Sequence, residues 1–91
     1  MKKPKPNPRL TAAILEVVEN QLRDQTPPET RQTLQRLLGE GHTADEAKRL
    51  IGCVVATEIY DVLKHRAPFD QVRFVAALHR LPTLPWEGQE A

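Results

Sequence analysis

Serine is missing from the sequence altogether, and cysteine, tryptophan and tyrosine occur once each. Without serine there is no serine nucleophile to assemble with a histidine. A single cysteine excludes a disulfide scaffold and any four-cysteine zinc site. Aromatic residues make up 4% of the chain, so stacking platforms for nucleic-acid bases are scarce. The four glycines are too few and too widely spaced for a phosphate loop. No apolar run approaches the roughly 18 residues that a membrane span needs. Charge of one sign is lacking as well: thirteen Lys/Arg face twelve Asp/Glu, for a net charge of +1 over 91 residues. That balance excludes a strongly basic nucleic-acid module and an acidic tail protein. The opening Met-Lys-Lys-Pro-Lys-Pro carries the charge of a signal peptide, but Pro4, Pro6 and Pro8 stand where its apolar stretch would be. These absences predict a soluble, cytoplasmic, single-domain protein with no cofactor and no membrane partner.

What the chain does have is proline in informative places. Pro4, Pro6 and Pro8 lie at one end and Pro82 and Pro85 at the other, with Pro27-Pro28 and Pro68 between. Proline breaks a helix from within and suits its first turn, so this map cuts the chain into four helical pieces. The first runs from about Pro8 to Asp24, with Leu10, Ala13, Ile14, Val17 and Val18 at three- and four-residue spacing. The second opens on Thr26-Pro27-Pro28-Glu29, read as a capping box, and carries Leu34, Leu37 and Leu38 up to Gly39 or Gly41. The third opens on a second capping box, Thr43 to Glu46, and holds its period from Ala47 to Leu63 before Lys64, His65 and Arg66. The fourth begins near Pro68, has Asp70 in its first turn and ends before Pro82. No segment alternates with period two. The prediction is an all-α, single four-helix domain over residues 8–81 with short connections. A basic Pro-rich arm (1–7) and a Pro-broken tail (82–91) extend from it. Lys2, Lys3 and Lys5 sit in the arm; without them ten basic residues face twelve acidic ones, a net charge of −2.

Glu58 stands out. At 100° per residue it falls at the centre of the apolar arc of the third helix. Gln21 holds the equivalent position on the first. Burying a carboxylate without a partner is costly, so a Gln21–Glu58 contact across the core is predicted. Leu15, Phe74 and Leu78 fall off the main stripes, and Leu84 and Trp86 lie in the tail. These five residues form the candidate interaction surface.

Other chemistry is weakly signalled. Glu46-Ala47 through Ile51-Gly52 to Tyr60 partly matches a helix-turn-helix. However, Cys53-Val54-Val55 offers no cap for a recognition helix, and no base-reading side chain precedes Lys64. One continuous helix, with Gly52 permitting close approach of a neighbour, is the expected alternative. His42, His65 and His79 lack the spacing to hold a metal from one helix face. Glu19, Glu46 and Glu58 without an imidazole make a poor transition-metal set.

From Asn7 to Leu81 the chain resembles a family of small bacterial helical proteins of unknown function. The segments that carry this are Asn7-Pro8-x-Leu10, Val18-Glu19-Asn20-Gln21-Leu22, Pro27-Pro28-Glu29, Glu46-Ala47, Ile51-Gly52 and Glu58-Ile59-Tyr60-Asp61. The resemblance brings no established activity. It implies histidines in many relatives at the positions of Thr11, Leu15, Asp45 and Arg49, where they could form a metal site. This chain has none of them, so a metal-free protein is expected.

The first functional expectation is therefore a non-enzymatic module acting through a protein partner or as a homo-oligomer. The alternatives are a small DNA-associated regulator using Gly39 to Tyr60, and an enzyme or metal protein using Glu19, Glu46 and Glu58. Nucleic acid is the less favoured partner.

Overall fold

Each helix boundary follows from a local signal. In the computed structural model, which describes residues 8–87, α1 is Pro8–Asp24, α2 is Pro28–Gly39, α3 is Ala44–His65 and α4 is Gln71–Arg80. The domain is all-α, with four helices and no strand among the described residues. Gln25 turns left-handed (φ 53°) to end α1, and the Thr26 amide donates back to the Gln21 carbonyl. Gly41 takes the left-handed position after α2 (φ 103°), and the His42 amide reaches the Leu37 carbonyl across that turn. Arg66, also left-handed, ends α3.

The Thr43 capping box is present in full. The Glu46 amide donates to Thr43 Oγ1 at 3.1 Å, and the Thr43 amide donates to Glu46 Oε1 at 2.9 Å. The Thr26–Glu29 box does not form. Helix α2 starts one residue later than that box requires, so Pro27 is the N-cap and Thr26 Oγ1 instead donates to the Asp24 carbonyl. Two prolines without amides leave fewer orphan donors to cap, and the Thr30 amide already bonds the Pro27 carbonyl. Helix α4 also starts later than expected. Asp70 is its N-cap rather than a first-turn residue, and Asp70 Oδ1 accepts the Arg73 amide at 3.0 Å.

Helix α3 is the centre of the domain. It packs against each of the other three helices, α2 also touches α1 and α4, and α1 and α4 do not meet. The core consists of Val18 from α1, Leu37 from α2, Ala47, Ile51, Val54 and Val55 from α3, Phe74 and Leu78 from α4, and Leu81 just beyond. Helix α1 runs antiparallel to α3. Lys48 Nζ meets Glu19 Oε2 at 2.7 Å near one end, and Gly52 faces Ile14, Leu15 and Val18 further along. A Cβ at position 52 would lie 3.2 Å from Ile14 Cγ2, so glycine is what allows this approach. Arg36 Nη2 crosses from α2 to the Leu78 carbonyl at 3.1 Å and satisfies a group in the last turn of α4. Beyond α4, Leu84 packs on the core and the Leu84 amide donates to Glu87 Oε1. The basic arm and the last four residues lie outside the described residues.

Candidate functional site

The strongest charged feature inside the domain is built by two helices. Glu58 is buried on α3, with 4% of its surface exposed. Opposite it, the Asp70 cap fixes the first turn of α4 and so aims Arg73 at α3. Arg73 Nε donates to Glu58 Oε1 at 2.8 Å, and Nη2 donates to Oε2 at 3.2 Å, a two-point grip on both carboxylate oxygens. Asp61 Oδ2 stands 4.0 Å from the same Nη2. The hydrogen bond to Glu58, then its charge, raises the Arg73 pKa above its already high ordinary value.

The pair lines a cleft of about 120 Å³ between α3 and α4, with Arg80 at its side and Pro85 of the tail at its edge. Thr57 also faces the cleft, but its hydroxyl donates to the Cys53 carbonyl at 2.9 Å. Both oxygens of the buried carboxylate are held by one guanidinium. That arrangement suits a latch between two helices rather than proton transfer, which needs a carboxylate within reach of a substrate proton.

Gln21 and Glu58 do not form the predicted pair. Gln21 Oε1 accepts from Thr30 Oγ1 at 2.9 Å and joins α1 to α2, while Glu58 belongs to Arg73. Both residues sit centrally on their stripes, as read from the sequence. The antiparallel register of α1 on α3 sets Gln21 level with the start of α3, some twelve residues or roughly 18 Å of helix axis from Glu58. Arg73 was the missed partner. Its signal was modest: a cation three residues after an Asp that precedes an apolar stripe.

The three candidate metal carboxylates go separate ways. Glu19 pairs with Lys48, Glu46 closes the Thr43 capping box, and Glu58 is held by Arg73. No group of three His, Cys, Asp or Glu side chains converges among the described residues. The helix-turn-helix reading is corrected too. Helix α3 runs unbroken for 22 residues through Gly52, so no turn and no separate recognition helix exist there.

The predicted interaction surface also needs correction. Phe74 and Leu78 are core residues, 1% and 0% exposed, and Leu84 packs against that core. Leu15 is half-buried beside Gly52, and Trp86 is half-buried in the tail. The cause is the register of α4. Its buried stripe is Phe74, Leu78 and Leu81, which turns Val72 outward and leaves Phe69 in the connection before the helix. The large apolar residues that do face solvent are Leu10, Leu38, Ile59, Tyr60, Leu63, Phe69 and Val72. Five of these seven fall between Ile59 and Val72, across the last two turns of α3, the connection and the first turn of α4.

Among the described residues, fold and site together define a small helical bundle in which a two-point ion pair joins α3 to α4 and apolar side chains around their connection are exposed. No protein-family model, curated protein or solved structure matches the chain. No helix among the described residues is long and apolar enough to cross a membrane.

Proposed function

We propose that the chain is a non-enzymatic interaction module that binds a protein surface through the end of the bundle formed by Ile59 to Val72. The observation that carries this is the exposure of Leu63 at 73%, Phe69 at 54% and Val72 at 81%, together with Ile59 and Tyr60. Single exposed apolar residues are ordinary, whereas five gathered in fourteen residues of one small domain mark an association surface. The engaged state of Glu58 supports the same reading over an enzyme. For its setting we propose the bacterial cytoplasm, in keeping with the lone Cys53 and with the family resemblance. The test compares proteins that co-purify from the native cell with the wild-type chain and with a Leu63→Glu/Val72→Glu variant of unchanged helical circular dichroism. The expected result is loss of specific partners, or of self-association, in the variant. An identical set of partners would overturn the reading.

A further inference from the structure

The Glu58–Arg73 grip leaves two other charged groups of the α3–α4 cleft unsatisfied. The Asp61 side chain is only 18% exposed, yet it stands 4.0 Å from Arg73 Nη2, beyond hydrogen-bond reach. That same Nη2 already donates to Glu58. Arg80 lines the cleft two turns after Arg73 on the same face of α4, and no carboxylate among the described residues pairs with it. Between these groups the wall is apolar, from Val54 of α3, Ala76 and Ala77 of α4, and Pro85 of the tail. The cleft therefore has an acidic end, where two carboxylates share one guanidinium, and a basic end at Arg80. Asp61 lies level with Arg73, which sets the two ends roughly 10 Å apart along the axis of α4. A helical side chain leans toward the N-terminus of its helix, and for Arg80 this shortens the gap.

We infer that the cleft binds a small zwitterion whose ammonium and carboxylate are separated by a short methylene chain, an ω-amino acid in chemical class. The ammonium donates to Asp61, the carboxylate accepts from Arg80, and the methylenes lie on Val54, Ala76 and Ala77. Glu58 and Asp61 balance Arg73 and Arg80, and that balance selects a ligand bearing both signs. A simple carboxylate satisfies Arg80 and leaves Asp61 without a hydrogen bond, and a simple amine does the reverse. An α-amino acid carries both charges on one carbon, too close together to reach the two ends. The cleft volume of about 120 Å³ is comparable to that of a cavity that holds benzene, so a chain of a few carbons fits.

The test titrates the full chain with glycine, 4-aminobutyrate, 5-aminopentanoate and 6-aminohexanoate, with pentanoate and pentylamine as single-charge controls. At least one of the three longer zwitterions should bind about tenfold or more tighter than glycine and either control. Amide shifts should map to α3 from Val54 to Asp61, to α4 from Arg73 to Arg80, and to the half-buried Trp86 beside Pro85. Arg80→Gln should lower the affinity to that of the amine control, and Asp61→Asn to that of the carboxylate control. Ala76→Leu, at an exposed position, fills the cleft without touching either charge and should abolish binding with helical circular dichroism unchanged. No saturation by any zwitterion at about 10 mM, equal binding of a control, or full affinity in Arg80→Gln and Asp61→Asn would each overturn the inference. Leu63→Glu/Val72→Glu leaves the cleft walls intact and should bind the zwitterion as the wild type does, whatever becomes of its protein partners. Loss of zwitterion binding in that variant would move the site to the apolar residues and overturn the inference.

Discussion

Arg73 holds Glu58 by two hydrogen bonds while keeping half of its own side chain in water. The burden of the pair therefore falls on the carboxylate, which is buried. Arg73→Met should lower the unfolding midpoint, because it leaves Glu58 buried without its partner. Replacing both residues, Glu58→Met with Arg73→Met, should recover much of that loss. A double-mutant cycle by denaturant unfolding measures it, and additive single effects would refute the latch. Glu46 offers a pH test. Its bonds with the Thr43 amide and hydroxyl hold its pKa below the ordinary Glu value. A depressed carboxylate pKa contributes stability above the unfolded value, and that contribution disappears as pH falls through the folded one. Thermal melts between about pH 5 and pH 3 should therefore fall less steeply for Glu46→Gln than for the wild type. The burial of Glu58 was legible in the sequence, since periodicity fixes which side of a helix a residue faces. Its partner was not, because partner choice depends on how far one helix slides along another.

At the scale of elements, capping chemistry decided most boundaries. Thr43 with Glu46 marked the start of α3 as read, and Gly41 ended α2. Two prolines at the start of α2 defeated the reading of Thr26, since the pattern of hydroxyl and carboxylate was right but its register against the helix was off by one. Helix α4 starts three residues after Pro68, and counting Phe69 and Val72 with its apolar residues hid the stripe Phe74, Leu78 and Leu81, so two core residues passed for surface. Gly52 was legible as a point of close approach, and it defines the α1–α3 packing. Gly52→Val should destabilise the domain by about 1–3 kcal/mol, because its methyl groups enter space held by Ile14 and Val18. Ile14→Ala in the same chain should relieve part of that loss. Chemical denaturation of the three variants checks it, and a neutral Gly52→Val would show that α1 is free to shift.

Across the whole molecule, α3 is surrounded for most of its length and bare at its end. Composition could show that the arm was basic. Only the fold shows that Leu63, Phe69 and Val72 are exposed around the connection between α3 and α4. If this end is the binding face, a partner must touch it in the cell. The most direct measurement places a photo-crosslinking amino acid at position 63, and in a separate chain at the exposed Gln35 of α2, within the native host. A specific protein adduct from position 63 and none from position 35 is the predicted result. No adduct at position 63, or the same adducts from both positions, would contradict it.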